Sequence, residues 1–390
     1  MLAINLALKN LWGQKGRTGL NVLILSFSFV AIIWTQGLYE GMQEQASQAL
    51  KQVYYGEGQF WQPQYDPYDP LTLSDAHGQI PEPIAALIES RQAVPILKIQ
   101  GSAYPHGRLQ PVILNGIPAE QSLLQLPSSV LDSSQAELPA VIGARLAKSF
   151  GLNTGETLTV RWRSVDGMFD AREVEIAAIM NTTVQSVDQG QIWLALDDLQ
   201  HLANARGEAT LVVVADEHAA AGIQSDWPFK DLDFLLSDIM QVVKSKTTGS
   251  MFLYVLLLFL AMLAIFDTQI LSIFKRRREI GTLVALGMTR PQVIRLFTLE
   301  GAMYGVLAAL AAALYGLPLL IYYHTQGMAM PEATDNYGIA LGTRLFPSYS
   351  LALIVFTILL VLITVTIVSY FPARRISKMK PTDAIRGKLS

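Results

Sequence analysis

Four apolar runs, each long enough to cross a bilayer, constrain the fold of this 390-residue chain more than any other feature. A membrane helix needs roughly 20 apolar residues. The runs meet that length and carry no charge apart from Asp267 in the second; they occupy residues 18–39, 249–274, 301–323 and 349–371. The sequence therefore predicts an α-helical membrane protein with four transmembrane helices.

The first run follows three basic residues and resembles a signal peptide in that respect. It is long, however, and has no clear small-x-small cleavage site, so we expect a retained helix. Before it, residues 1–17 favour a helix lying in the cytoplasmic membrane interface. After it, residues 42–52 are rich in helix formers, which predicts that the first transmembrane helix continues outward as a stalk.

Lys and Arg are distributed unequally among the segments that the apolar runs separate. Residues 1–17, 275–300 and the tail 372–390 carry 15 Lys or Arg against three acids, whereas the insert 40–248 and the loop 324–348 carry 14 against 28. Because Lys and Arg stay preferentially in the cytoplasm, we expect both termini and residues 275–300 to be cytoplasmic. The insert and the loop are then extracytoplasmic.

The insert predicts a mixed α+β extracytoplasmic domain that is large enough for two subdomains. Alternating apolar and polar residues are typical of half-buried strands and occur at residues 94–104, 109–116, 157–163, 172–179, 191–196 and 209–214. Helical periodicity is found at residues 82–91, 143–150, 197–205, 217–225 and 237–246. Residues 56–83 are rich in Pro, Gly and Asp and are expected to be irregular. The chain has no cysteine, so the domain depends on its core alone.

The motifs of several enzyme classes are absent from the sequence. It contains no GxxxxGKS or GxxxxGKT phosphate loop, no HExxH zinc motif and no GxSxG nucleophile elbow. We therefore expect a non-catalytic chain that holds no cofactor or metal and has no nucleic-acid partner.

Asp267, about two turns inside the second run, is open to two interpretations. It is either a functional intramembrane acid or a hydrated residue paired with Lys275 or Arg276.

The segment between the second and third runs is basic and then amphipathic. Its basic part is expected to anchor the membrane boundary through lipid phosphates and consists of Lys275, Arg276, Arg277 and Arg278. From Glu279 an apolar face with helical spacing follows, formed by Ile280, Leu283, Val284 and Gly287. Gly287 suits the position that ends a helix. Thr289 and Gln292 predict a capping box at the start of the next helix. The segment is either a plain interfacial helix or a docking site for a cytoplasmic partner.

This segment carries a resemblance to a known family. Its text KRRREIG, ALGMTRPQV and LFTLEG resembles the identifying segment of the FtsX and MacB-type permeases of ABC transporters. The opening LALKNLWGQKGRTGL and the closing KPTDAIR are similar to the motifs at the two ends of that family. The order of one span, a large outer domain and three further spans extends the resemblance over the whole chain.

The resemblance implies a permease subunit of the bacterial inner membrane that pairs with a second permease subunit, identical or homologous. It also implies two copies of a separate ATPase, which binds ATP and Mg. In the family a coupling helix engages that ATPase. The resemblance assigns this role to the matching residues here, which are Glu279, Ile280, Gly281, Leu283, Val284, Leu286 and Gly287. Nucleotide-driven motion is then passed through the first two spans to a MacB-like periplasmic domain.

The insert text LPAVIGARLAKSFGLNTGETLTV resembles the lipoprotein-releasing LolC and LolE permeases. That branch extracts lipoprotein from the membrane and recruits a periplasmic carrier through a projecting hairpin. Residues 163–172, with Met168 and Phe169 beside an Asp-Gly turn, are a candidate for that hairpin or an ordinary turn folded onto the domain. Two alternatives within the family are MacB-like export of peptide or drug, and FtsX-like activation of an extracytoplasmic hydrolase.

Overall fold

The structure, a computed structural model, describes residues 15–275, 281–282, 284, 286–329 and 344–376. The predicted interfacial helix lies largely outside these residues, as do most of the predicted outer loop and tail. The chain divides into a helical unit, formed by residues 1–42, 243–329 and 345–390, and an α/β unit formed by residues 43–242 and 330–344.

Four long helices build the helical unit, and each has the length and composition needed to cross a membrane. They are α1 (Lys15–Leu50), α8 (Leu232–Lys275), α9 (Arg290–Gln326) and α10 (Leu351–Ile376). Three of them contain a predicted apolar run in full and α10 contains all but the first two residues of the fourth, which confirms the expectation of four spans. Beyond the first run, α1 continues to Leu50 and is followed by a π-helical turn, Lys51–Tyr55.

The helical unit buries polar side chains and exposes apolar ones. Its apolar core includes Leu25, Phe29, Ala261 and Tyr304. Several polar side chains are also buried between the helices: Asn21, Gln269, Ser272, Glu300, Thr357 and Ser369. Large apolar side chains remain outside, among them Leu314 at 82% exposure. This arrangement suits a lipid surrounding, in which apolar surface carries no penalty and polar groups between helices provide hydrogen bonds.

The α/β unit contains a nine-stranded sheet with the strand order β11-β1-β10-β3-β4-β8-β5-β7-β6. Its strands are β1 (Gly58–Trp61), β3 (Ala93–Ala103), β4 (Gln110–Ile117), β5 (Pro139–Gly143), β6 (Thr157–Arg163), β7 (Phe169–Met180), β8 (Gln191–Ala195), β10 (Leu211–Val214) and β11 (Phe229–Asp231). Strand β6 also pairs with β3, where Gly101 lies opposite Trp162. That pairing closes β3, β4, β8, β5, β7 and β6 into a ring.

Shorter elements connect the strands of the sheet. The helices are α2 (Glu82–Glu89), α3 (Val130–Ser133), α4 (Ala144–Phe150), α5 (Gln185–Asp188), α6 (Leu196–Leu202) and α7 (Glu217–Ala221). Two short strands, β2 (Gly78–Gln79) and β9 (Glu208–Ala209), form a separate antiparallel pair. Two further strands, β12 (Met328–Ala329) and β13 (Arg344–Leu345), flank the loop between α9 and α10.

The α/β unit has two apolar cores. One lies within the ring, because the alternation of β6 directs Leu158, Val160 and Trp162 to its buried face. The other lies against the remaining strands and includes Phe60 and Trp227. The mixed α+β character predicted for the insert is confirmed, and all six predicted strands are present within a few residues of their predicted bounds.

Two strands of four residues or more, β1 and β5, were not predicted, nor were shorter strands such as β11. Strand β1 lies in the stretch expected to be irregular, and β5 lies in a stretch to which no element was given. Both are short, and every residue of both is buried. A strand buried on both faces has no alternation to reveal it, so the expectation of an irregular segment at residues 56–83 was wrong for β1.

Candidate partner-binding surfaces

The predicted coupling segment begins where α8 ends at Lys275. The predicted anchors Arg276, Arg277 and Arg278 lie outside the described residues, as do Glu279, Ile280 and Leu283. Of the remaining members, Gly281 is buried, and Val284 packs against Val293, Phe297 and Ala373 of α9 and α10. Val284 therefore attaches the segment to the helical unit.

Leu286 differs from Val284 in its exposure. It is 84% exposed, whereas Val284 is partly buried. Its backbone N–H donates to the carbonyl of Thr282 over 2.9 Å, so Leu286 lies in the hydrogen-bonded turn that ends the segment. One apolar side chain thus packs inward and another is presented outward.

The end of the segment follows the predicted pattern. Gly287 has a φ of +100°, a conformation that favours glycine, and its N–H donates to the Val284 carbonyl. Thr289 and Gln292 form the predicted capping box, in which the Thr289 N–H donates to Gln292 Oε1 over 2.8 Å. The helix end, the turn and the new helix start are therefore confirmed.

The predicted hairpin joins β6 to β7 and is held to its surroundings at several points. The Val165 N–H donates to the Ala203 carbonyl over 3.0 Å, and Arg163 Nε donates to the Gly167 carbonyl over 3.2 Å. Met168 and Phe169 nevertheless remain 67% and 66% exposed. The two candidate side chains are thus exposed on a hairpin whose turn is hydrogen-bonded to the domain, and their role as a carrier contact stays a prediction.

A groove of about 490 Å³ lies beside this hairpin. Phe169 and Arg161 share one wall, where the Arg161 guanidinium lies 4.4 Å from the Phe169 ring centroid. Another wall holds His77, whose Nδ1 is 2.6 Å from Glu208 Oε2. Sequence reasoning did not single out Arg161; the alternation of β6, which places it on the face opposite Trp162, was the signal that could have identified it.

A buried cation in the α/β unit also went unrecognised in the sequence. Lys98 of β3 is 2% exposed, and its Nζ donates to the hydroxyls of Tyr54 and Tyr65. Burial disfavours its charged form, but the two phenol oxygens outweigh that effect and hold the pKa of Lys98 above its ordinary value. Burial raises the pKa of Tyr65 to about 12, so this phenol is neutral at pH 7. The geometry of the cluster fits a structural role.

Two further kinds of site were considered in the sequence, an intramembrane acid at Asp267 and a metal site. Asp267 is exposed on α8, and within the described residues it forms no ion pair with Lys275. Its alternative partner, Arg276, lies outside those residues. Across the part of the chain that the structure describes, no three His, Asp or Glu side chains converge as metal ligands would.

Two family models match this chain. Residues 18–226 match the MacB-like periplasmic core domain, and residues 251–381 match the FtsX-like permease C-terminal region. Together they include most of the α/β unit, the coupling segment and the greater part of each of the four long helices.

Curated relatives are similar at low identity. The lipoprotein-releasing system transmembrane protein LolC of Xylella fastidiosa is 22% identical over 77% of this chain and 79% of its own length. An ABC transporter permease of Methanocaldococcus jannaschii is 21% identical over 56% of each chain. The macrolide export ATP-binding/permease protein MacB of Wolinella succinogenes is 23% identical over 50% of this chain and 27% of its own. This chain therefore spans about half of the archaeal permease and a quarter of MacB.

Proposed function

We propose that this chain is a permease subunit driven by a separate ATPase, because it belongs to the FtsX/MacB-type permease family of ABC transporters. The ATPase binds ATP and Mg and engages the segment between α8 and α9 from the cytoplasm. The α/β unit is then extracytoplasmic, and two permease subunits, identical or homologous, pair in the inner membrane. The charge distribution along the chain supports this orientation.

The observation that carries this proposal is the difference in burial between Val284 and Leu286. Val284 packs against α9 and α10, whereas Leu286 is 84% exposed. An exposed apolar side chain on a hydrogen-bonded turn offers a partner a small contact whose burial is favourable by up to about 3 kcal/mol. Motion of the ATPase at Leu286 is transmitted to the transmembrane helices through Val284 and through α8 and α9, which the segment joins.

The proposed cargo is lipoprotein or another hydrophobic molecule taken from the membrane. The similarity to LolC, which extends over 79% of that protein, supports a substrate of this class. The exposed Met168 and Phe169 on an anchored hairpin support a contact with a soluble periplasmic carrier. MacB-like export is the second candidate, and the match of residues 18–226 to the MacB-like core favours it.

Retention of the ATPase during purification tests the coupling site. Replacing Leu286 with Glu places a carboxylate in an apolar contact, a change that costs several kcal/mol when the charge is buried. We expect at least a tenfold loss of bound ATPase, since tenfold corresponds to about 1.4 kcal/mol. The matched control is Leu109→Glu, which adds the same charge to an exposed leucine of the α/β unit.

Both variants should insert into the membrane normally. Wild-type levels of ATPase with Leu286→Glu would refute the assignment of the coupling segment. In the reconstituted complex, Met168→Ser with Phe169→Ser should abolish transfer of labelled lipoprotein to the carrier while leaving ATP hydrolysis intact. Unchanged transfer would refute the hairpin as the carrier contact, whereas a wild-type complex that transfers no lipoprotein would argue for MacB-like export instead.

A further inference from the structure

A groove of about 560 Å³ lies between α9 and α10 of the helical unit, near the end where α9 begins. Helix α9 contributes a single stripe to it, because the lining residues Ile294, Arg295, Thr298 and Ala302 are spaced by three or four positions. Helix α10 contributes Thr366 and Tyr370. The walls are mainly apolar, with a few polar groups at one end.

Two polar groups of the groove are donors that have no acceptor among the described residues. Arg295 is exposed and forms no ion pair within the described residues. The Oγ1 of Thr298 is buried and has no hydrogen-bond partner there. Thr366 differs, since its hydroxyl donates to the Leu362 carbonyl over 2.7 Å, as is usual for threonine in a helix. A free guanidinium and a free hydroxyl in one groove are suited to an anion with several acceptor oxygens.

The groove also has an apolar continuation along both helices. On α9 the stripe from Arg295 proceeds through Leu299 and Ala302 to the exposed Val306 and Leu310. On α10 the stripe from Tyr370 and Thr366 proceeds to the exposed Ile363 and Leu359. A ligand with its anionic group at Arg295 would therefore lay alkyl chains along two apolar stripes.

We propose that this groove binds an anionic phospholipid, with its headgroup phosphate on Arg295 and Thr298 and its acyl chains along the two stripes. A phosphate joined to alkyl chains matches both halves of the surface. Among the residues that the structure describes, the groove lining contains no Asp or Glu, so these residues offer no counterion to the amine of a zwitterionic headgroup. Anionic headgroups such as phosphatidylglycerol are favoured for that reason. The assignment to the cytoplasmic leaflet rests on the orientation given under the proposed function.

Depth in the membrane agrees with a headgroup contact. Arg295 lies six residues before the apolar run that begins at residue 301, or about 9 Å along the helix. Its guanidinium therefore lies near the headgroup level rather than within the hydrocarbon core. Tyr370 on the neighbouring helix has the amphipathic ring that is common at the membrane interface.

The test is native mass spectrometry of the detergent-purified full chain, with its ATPase where the two co-purify. The probes are phosphatidylglycerol and phosphatidylethanolamine with identical acyl chains. We expect the wild-type protein to retain phosphatidylglycerol preferentially. Arg295→Gln should lower that retention about tenfold or more, because a hydrogen bond to a charged group contributes about 1.5–3 kcal/mol. Thr298→Val should give a smaller loss.

Arg290→Gln is the matched control, since it removes the same charge from the same helix end outside the groove. Equal losses for the two arginine variants would overturn the proposal in favour of general attraction to anionic lipid. Equal retention of phosphatidylethanolamine, or displacement of the lipid by millimolar inorganic phosphate, would also overturn it. So would a photocrosslinker at position 299 that joins two permease chains. None of these outcomes bears on ATPase retention by Leu286, so the two proposals fail separately.

Discussion

The α/β unit and the helical unit differ most in what they expose, because the helical unit leaves many more large apolar side chains exposed than the α/β unit does. In the α/β unit, tryptophans such as Trp162 and Trp193 are buried, and strand β6 turns its polar residues outward. In the helical unit, Gln269 and Ser369 are buried while Leu314 is outside. Apolar burial drives folding only where water is the alternative surrounding. Each unit is therefore stabilised by the contacts that its own surroundings make favourable.

Both units also bury polar side chains, and in the α/β unit these include a cation. Lys98 donates to the hydroxyls of Tyr54 and Tyr65. A buried polar group needs hydrogen-bond partners in either surrounding. Substitutions in the two units can test whether the difference between them holds in energy as well as in position.

The largest expected effect is the truncation of a buried tryptophan. Trp162→Ala removes a side chain that is 1% exposed and whose Nε1 donates to the Leu202 carbonyl, so we expect a loss of about 3–5 kcal/mol. Leu314→Ala truncates a side chain at 82% exposure and should cost less than about 1 kcal/mol. Protease susceptibility in increasing urea, read separately for fragments of each unit, measures both. Similar losses of stability for the two variants would contradict the difference between the two units.

An intermediate effect is expected at the buried cation. Tyr54→Phe leaves the Lys98 ammonium without one of its acceptors and should lower the free energy of unfolding by about 1.5–3 kcal/mol. In a Lys98→Met background the same change should cost little, because no buried charge then needs the hydroxyl. Urea titration of the four proteins gives the coupling energy. Additive losses would mean that the phenol acts through packing rather than through the ammonium.

The smallest effect concerns packing between membrane helices. A Cβ at Gly301 of α9 would overlap Oγ and Cβ of Ser369 on α10, so Gly301→Ala should cost about 1–3 kcal/mol. Gly249→Ala on α8 meets open space and should be neutral or stabilise by up to about 1 kcal/mol through helix propensity. Thermal aggregation in detergent ranks the variants. A lower midpoint for Gly249→Ala than for Gly301→Ala would show that close approach of α9 and α10 is unimportant.

Features that depend on neighbouring residues were predictable from the sequence. The four spans follow from the length of each apolar run, and the bounds of β6 follow from strict alternation. The capping box at Thr289 and Gln292 depends on a spacing of three residues. Each of these features is fixed by local geometry, so no distant contact is needed to recognise it.

Features that depend on distant residues were not predictable. The ring closes through a register of Gly101 opposite Trp162, which no local pattern specifies. The groove at Arg295 exists because α10 supplies Thr366 and Tyr370 from about 70 residues away. Lys98 resembled an ordinary polar residue of an alternating strand, since its two phenols come from other elements. The exposed Met168 and Phe169 were identified as candidates, but their exposure required the structure.

Closure of the ring of strands lowers the tendency of the α/β unit to aggregate. A strand with an unpaired side is a template on which another chain can extend a sheet, and such templates promote aggregation. Closure gives β6 a second neighbour, β3, where an open sheet would have ended. The opposite end of the nine strands is β11, which has only three residues and includes Lys230 and Asp231. An edge strand that is so short and carries charged residues is a poor template for the addition of strands from another chain.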